Sequence, residues 1–195
     1  MLRAASGTRL EALWVLALTT GMRLGELLAL RWDAVELGSA PGVQVKHTLF
    51  RGAGGWSLEP PKSREARRRI DLSRRAIVAL EAHRAQQAEE RLALGPAWAD
   101  HGFVFTDVSG EPLSGTAVYR RQFAELLDAA ELPASTRFHD LRHTFATLLL
   151  LRGVHVKIVS SMLGHSTIRL TLDTYSHVLP GMQKTATDAM DAILG

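Results

Sequence analysis

The most informative stretch of this chain is HDLRH at His139–His143, which is followed by LGH at Leu163–His165 and YSH at Tyr175–His177. Residues three or four apart share a face of a helix, so the first histidine and the arginine of HDLRH are expected to lie side by side. The three motifs bring imidazoles, a guanidinium and a phenol into one short segment. These are the groups needed to hold a phosphodiester and to attack it with a tyrosine.

Helical periodicity extends outward from these motifs over most of the chain. Apolar residues recur at spacings of three and four, and Gly21, Gly153 and Gly164 stand where helices commonly end. Ser73 is a suitable N-cap for the longest helix. The predicted helices are Thr8–Thr20, Arg23–Leu30, Ser73–Leu94, Ser114–Ala130, Phe138–Leu151, His155–Leu163, Ile168–Tyr175 and Met182–Leu194.

A small sheet is predicted between the second and third of these helices. Alternating apolar and polar residues indicate a strand at 43–48, and Trp56–Glu59 and Arg68–Leu72 are predicted as two more. The three would form an antiparallel meander whose second hairpin carries Lys62 at or near its tip. Phe103–Phe105 is predicted as a short buried segment. The fold class is therefore mainly α with a small three-stranded antiparallel β-sheet (α+β).

Bulk composition sets limits on the function. A length of 195 residues favours one compact domain. No apolar run approaches the roughly 20 residues that span a bilayer, and no signal-peptide core begins the chain. The absence of cysteine excludes disulfides and thiolate chemistry. We expect a cytoplasmic protein, and the net charge of +3 hints at a polyanionic partner.

Basic side chains concentrate between Lys62 and Arg75, where seven stand against two acidic residues within 14 positions. Taken alone, such a run is as typical of a solvated face as of a strip that contacts DNA phosphates. The motifs beside it favour DNA. The candidate DNA contacts are Lys46, Arg64, Arg67, Arg68 and Arg69.

A zinc site is the rival interpretation of the histidines. His139 and His143 have the i, i+4 spacing of metal-binding helices, and His165 is a conceivable third ligand. The zinc-protease pattern needs glutamate directly after the first histidine, where this chain has Asp140. We therefore predict neither a metal nor a cofactor. In the same way, Arg23 taken alone is more typical of a surface arginine, or of one paired with Glu26, than of a catalytic residue.

The joint pattern resembles the catalytic domain of the tyrosine recombinases, also called phage integrases. It consists of His-x-x-Arg, Leu-Gly-His and a tyrosine ten residues later, all preceded by an arginine at a helix turn and a lysine in PPKS. The flanking stretches Thr20–Trp32, His139–Thr147 and Thr171–His177 are also similar to the family. The resemblance covers roughly Thr8 to Pro180.

The resemblance implies an enzyme that cleaves double-stranded DNA without metal or ATP. Tyr175 would attack the phosphorus, leaving a 3′-phosphotyrosine and a free 5′-hydroxyl. Lys62 would protonate the leaving 5′ oxygen. His139 would assist proton transfer and help to activate the tyrosine.

The remaining implied roles concern the phosphate. Arg23 and Arg142 would clamp its oxygens, which suits the two-pronged guanidinium. His165 would donate a hydrogen bond to a non-bridging oxygen. Glu26 would support the turn that carries Arg23.

The resemblance also bears on domain organisation. Family members carry an N-terminal helical DNA-binding domain, whereas seven residues precede the first predicted helix here. We predict a catalytic domain at 1–180, a C-terminal helix at 181–195 and no N-terminal domain in this chain. The apolar stripe of that helix suits exchange between protomers of a DNA-bound homo-tetramer, or equally packing on its own core. Without DNA the chain would be a monomer.

The leading functional hypothesis is site-specific strand exchange, for integration or excision of a mobile element or for chromosome-dimer resolution. Three alternatives stay open: a tyrosine-class topoisomerase, a catalytically inactive DNA-binding domain on the same fold, and a small zinc hydrolase.

Overall fold

Helices form most of the fold, as the apolar periodicity predicts. The computed structural model describes residues 1–52, 54–61, 63, 65–176 and 182–195. Its helices are α1 (Leu2–Ala5), α2 (Glu11–Thr20), α3 (Leu24–Leu28), α4 (Arg74–Leu94), α5 (Gly115–Ala117), α6 (Phe123–Ala129), α7 (Phe138–Leu151), α8 (Val156–Leu163), α9 (Ile168–Tyr175) and α10 (Met182–Leu194). The predicted bounds of α7, α9 and α10 are confirmed to the residue. Within the described ranges, no helix has both the length and the apolar character to cross a bilayer.

Three predicted helices differ from the observed ones by more than a single N-cap residue. The first begins at Glu11, because the Thr8 hydroxyl donates to the carbonyl of Ala5 (2.7 Å) at the end of α1, which was not predicted. The second runs only from Leu24 to Leu28, with Arg23 as its N-cap. The predicted helix Ser114–Ala130 is interrupted by a π-helical segment at 118–122 between α5 and α6.

The small sheet is three-stranded and antiparallel as predicted, but its strands are not all the predicted ones. Its order is β1 (Val35–Glu36), β2 (Gly42–Val45), β5 (Arg68–Asp71). The strands β3 (Thr48–Gly52) and β4 (Gly55–Glu59) form a separate hairpin. The predicted meander is therefore wrong: β4 pairs with β3 and not with β5, so these two strands form no hairpin with Lys62 at its tip.

The reason lies in the side-chain patterns of the unpredicted strands. β1 is two residues long, too short for an alternation to show. The side chains of β3 are half-buried at Thr48 and Leu49 and exposed beyond, so no buried face repeats at every second residue. In β2, by contrast, buried and exposed side chains alternate clearly. Val43 of this strand lies opposite Val35 on one side and Ile70 on the other.

Two hydrophobic clusters meet on α7. The larger contains most of α2 together with Leu80 of α4 and Phe105, and it receives Phe138 and Leu141 from the first turn of α7. The smaller lies between α7, α8 and α9 and contains Phe145, Leu150, Val159, Leu163 and Tyr175. Because Arg142 falls between the two sets on α7, its side chain is placed at their junction.

Candidate active site

Arg142 lies at the centre of the site and ties two helix ends together. Its side chain is buried, with 3% of the residue exposed. Nη1 donates to the carbonyl of Gly21 (2.7 Å), and Nη2 donates to the carbonyl of Leu163 (2.6 Å). Both carbonyls belong to turns in which a glycine, Gly21 or Gly164, takes the left-handed conformation and ends a helix. The HDLRH helix therefore fixes the turns that carry Arg23 and His165.

Burial, with the nearby charges of Arg23 and Arg68 acting in the same direction and Glu26 opposing them, lowers the pKa of Arg142 to about 9. The guanidinium still carries its charge at neutral pH. Only two of its five N–H groups are used in the carbonyl bonds. A buried cation with spare donors is suited to binding an anion.

Arg23 caps α3 and stands at the open side of the site, with 43% of its side chain exposed. Its Nη1 donates to Oε1 of Glu26 (2.8 Å), and its backbone N–H donates to Oε2 (2.9 Å). Glu26 is buried. The predicted pairing of Glu26 with the arginine turn is present in the structure.

Arg68 is the third member of this network, although it was predicted from the sequence as a contact with DNA. Its side chain is 5% exposed, and it donates to both carboxylate oxygens of Glu26 (3.3 and 3.0 Å) and to the carbonyl of Met162 (2.5 Å). Burial alone would raise the pKa of Glu26, but the bonds and charge of Arg68 and Arg23 outweigh it, and the pKa is lowered. Arg68 therefore joins α3 to the end of α8.

His165 follows Gly164 directly and faces the arginines. Its Nδ1 lies 2.8 Å from Oγ1 of the fully buried Thr171. Burial, together with the charges of Arg142, Arg23 and Arg68, lowers its pKa to about 4. The ring is therefore neutral at physiological pH. If Nδ1 accepts from the threonine hydroxyl, Nε2 carries the proton and can donate.

Tyr175 ends α9 and is 3% exposed. Its hydroxyl lies 2.9 Å from Nδ1 of His143, not against His139. The ring of His139 stands edge-on to His143, with 4.9 Å between centroids. Burial raises the pKa of Tyr175, which the charge of Arg142 partly opposes. The pKa of His139 is lowered, most strongly by burial and next by the charges of His143, Arg142 and Arg23.

These geometric relations lie within residues 1–181, the part of the chain that matches the profile of the phage integrase family. The chain belongs to the phage integrase family. The resemblance predicted from the sequence is thereby confirmed.

The named relatives of the chain are integrases and tyrosine recombinases. The chain is 36% identical to an integrase of Streptomyces ambofaciens over 202 residues, covering 99% of this chain and 50% of the relative. It is 32% identical to a XerC-like tyrosine recombinase of Caldanaerobacter subterraneus over 200 residues, covering 96% and 50%. The Tn1549 transposon integrase, solved with transposon right-end DNA, matches with a TM-score of 0.79 at 25% identity, covering 100% of this chain and 63% of that one. The chain spans about half the length of the curated relatives it matches.

The basic residues predicted as DNA contacts divide between surface and interior. Lys46, Arg67 and Arg69 are exposed and line an open groove of about 510 Å³ beside β2 and β5. Arg68 points inward, which corrects its prediction as a surface contact. Lys62, Arg64 and His177 lie outside the described residues.

The three histidines considered for a zinc site, His139, His143 and His165, all lie among the described residues. Among the described residues, no group of three or more His, Cys, Asp or Glu side chains is arranged to hold a metal ion. His143 bonds to the phenol, and Nδ1 of His165 bonds to Thr171.

The sequence did not predict the contacts made by Arg68, His143 and Thr171. For Arg68 a signal was present: it stands two residues before the buried Ile70, and residues two apart in a strand share a face. For His143, the sequence spacing gives no indication of the contact with Tyr175, because this contact joins α7 to α9 across 32 positions.

Proposed function

We propose that the protein containing this chain is a site-specific DNA recombinase, and that Tyr175 forms a 3′-phosphotyrosine with the strand it cleaves. One observation carries the proposal: Arg23, Arg142 and His165 converge, and the helix that follows His165 ends with the phenol. Family membership, and the solved complex of the Tn1549 integrase with DNA, support double-stranded DNA as the substrate.

The charge balance of the site favours a phosphodiester. Arg23, Arg68 and Arg142 interact electrostatically with one another or with Glu26, the acidic side chain that bonds to Arg23 and Arg68. Three cations facing one carboxylate leave a surplus of positive charge, which is costly in a partly buried site. A phosphate between Arg23 and Arg142 would remove that surplus. The same cations would stabilise the extra negative charge of the phosphorane, which is the source of catalysis.

The reaction is an exchange of phosphoesters. The phenol oxygen of Tyr175 bonds to phosphorus, the bond to the 5′ oxygen breaks, and Lys62 protonates that oxygen. His139 assists proton transfer, and His165 donates to a non-bridging oxygen. A 5′-hydroxyl from a partner duplex then attacks the phosphotyrosine and releases the tyrosine. Because the phosphoester is conserved at each step, neither ATP nor a metal is needed.

The surface supports an assembly on DNA. Lys46, Arg67 and Arg69, with Arg64, would contact phosphates along the groove beside the sheet. On α10, Ile193 and Leu194 are strongly exposed, which supports exchange of this helix between protomers of a homo-tetramer on DNA. Without DNA the chain would be a monomer. The relatives come from bacteria and their phages, which supports action in the bacterial cytoplasm.

Covalent trapping tests the proposed chemistry. The protein is incubated with a randomised pool of nicked duplexes from which the cleaved end diffuses away, so that the phosphotyrosine cannot be reversed. A protein–DNA adduct on a denaturing gel is expected for the natural chain and for Tyr119→Phe, but not for Tyr175→Phe. Tyr119 and Tyr175 are the two tyrosines of the chain, so Tyr119→Phe is a matched control. An adduct that persists in Tyr175→Phe would refute the assignment.

A recombinase must also be separated from a topoisomerase. The duplexes recovered from the adduct are placed in a supercoiled plasmid and in a linear partner. Joint molecules between plasmid and partner are expected from a recombinase. Relaxation of the plasmid without any joint molecules would favour the topoisomerase instead.

A further inference from the structure

The phenol of Tyr175 has a specific partner in the folded protein. Nδ1 of His143 lies 2.9 Å from the hydroxyl, and the two rings are 5.7 Å apart between centroids. If the imidazole carries its proton on Nε2, Nδ1 has a free electron pair and accepts from the phenol O–H. Among the described residues, this is the hydrogen bond in which the hydroxyl takes part.

The charged and titratable groups around His143 come from two helices. On α7 they are His139, whose ring stands edge-on to it, together with Asp140 and Arg142. Asp140 is held by Arg137, its own neighbour at the start of α7 (2.9 Å). On α9 the facing group is Tyr175. The face of His143 that carries Nδ1 is therefore directed at the nucleophile.

A buried phenol needs help to react. Burial raises the pKa of Tyr175, so the neutral form predominates at physiological pH. Neutral phenol is a weak nucleophile, and its attack on phosphorus requires the proton to leave as the new bond forms. A base at hydrogen-bond distance meets this need, and the geometry supplies His143.

His139, which would assist proton transfer, stands beside His143 and not against the phenol. Its ring contacts the ring of His143. Its pKa is lowered most by burial, next by His143, and then by Arg142 and Arg23. It therefore lies on the side of the arginines, one turn nearer the start of α7. Within the described residues, no hydrogen bond joins it to the phenol.

We propose that Nδ1 of His143 is the base that takes the phenol proton of Tyr175. The proton moves from the phenol oxygen to Nδ1 as that oxygen bonds to phosphorus, and the electrons of the breaking P–O bond leave with the 5′ oxygen. In the reverse step, His143 returns the proton to the departing phenolate. This inference rests on the proposed function, because it assigns a role within the same reaction.

The first test compares His143→Asn with His143→Ala, His139→Ala and the natural protein. The amide oxygen of asparagine can accept the phenol hydrogen bond as Nδ1 does, but it cannot take the proton. Adduct formation is measured on a duplex recovered by trapping. Both His143 variants are expected to be slower by roughly 10²-fold, the usual contribution of a general base. Wild-type rates in His143→Asn would show a positioning role only and would overturn the proposal.

The pH profile provides a readout that misfolding would not mimic. In the natural protein the rate should rise with pH and then level off, as is usual when a side-chain base takes the proton. In His143→Asn the levelling should disappear, and the rate should continue to rise as hydroxide replaces the base. A levelling that survives in His143→Asn, and is lost in His139→Ala, would transfer the role to His139.

A sulfur leaving group separates the two ends of the reaction. In a duplex with a 5′-bridging phosphorothiolate, the departing thiolate needs no acid. Lys62→Ala should then recover, whereas His143→Asn should stay slow. Recovery of His143→Asn would place His143 at the leaving group and overturn the proposal. If the natural protein yields no Tyr175-dependent adduct, the proposed function fails together with this role; an adduct with unchanged His143→Asn rates refutes this role alone.

Discussion

At the scale of single residues, Glu26 and Arg68 explain how the side chains that would bind an anion are held in position. Glu26 receives hydrogen bonds from Arg23 and Arg68, and Arg68 also holds the carbonyl of Met162, two residues before Gly164. The pair thus joins the two turns that present Arg23 and His165. Both side chains are almost fully buried, so the pair is not screened by solvent as a surface ion pair would be.

Replacing Arg68 should therefore destabilise the fold. Arg68→Ala leaves the Glu26 carboxylate buried with only Arg23 beside it, and we expect a loss of about 3–5 kcal/mol in the free energy of unfolding. Arg67→Ala, at the exposed residue just before that strand, should change it by less than about 0.5 kcal/mol. Urea unfolding measures both. Equal effects would show that Arg68 is no more than another surface charge.

His165 should make stability depend on pH. Folding lowers its pKa from 6.5 to about 4, so between these values the unfolded chain binds a proton that the folded chain does not. The free energy of unfolding should therefore fall as the pH is lowered from 6.5 towards 4. His165→Gln should make this slope shallower, while His83 and His139, whose pKa values are also lowered, keep their share. An unchanged slope in urea unfolding across this range would contradict the assignment.

At the scale of elements, two helix ends require glycine for different reasons. Gly21 has a φ of 64°, and a Cβ there would lie 2.5 Å from Cδ1 of Phe145. Gly153 has a similar φ of 75°, with nothing within 4 Å of its Cβ position. The first glycine is therefore needed for both backbone conformation and space, and the second for conformation alone.

The two glycines form a matched pair of substitutions. Gly153→Ala should lose about 1–2 kcal/mol from the left-handed backbone. Gly21→Ala should lose about 1–3 kcal/mol more, because Phe145 must move within the small core that also holds Tyr175. Thermal or urea unfolding of both variants gives the difference. Similar losses of stability in the two variants would show that Phe145 can move aside at little cost.

Elements whose apolar residues repeat at a regular spacing were predicted far better from the sequence than pairings between distant strands. The helix of HDLRH and the helix of Tyr175 were predicted to the residue, because their apolar faces repeat clearly. The partner of Arg68–Asp71 was not predicted, since pairing with Gly42–Val45 depends on contacts across more than 20 residues. The motifs likewise predicted that Arg23, His165 and Arg142 converge, but not which histidine the phenol contacts.

At the scale of the whole molecule, the exposed cations beside the sheet should determine DNA affinity and its salt dependence. Removing Lys46 and Arg67 together should weaken binding evenly across sequences and reduce the slope of log K against log salt by about 2, if each contacts one phosphate. Arg91→Ala with Arg121→Ala removes the same charge from exposed ion pairs away from the groove. Equal slopes for the two double variants would contradict a specific contact face.

The nature of the covalent link tests Tyr175 as the nucleophile most directly. Suicide duplexes carry a label at the 5′ or the 3′ end of the cleaved strand, and the adduct is digested to find the peptide that carries nucleotide by mass spectrometry. A 3′-phosphotyrosine predicts that the protein retains the 5′ label and that the modified peptide contains Tyr175. Retention of the 3′ label, or nucleotide on a peptide without Tyr175, would contradict the proposed mechanism.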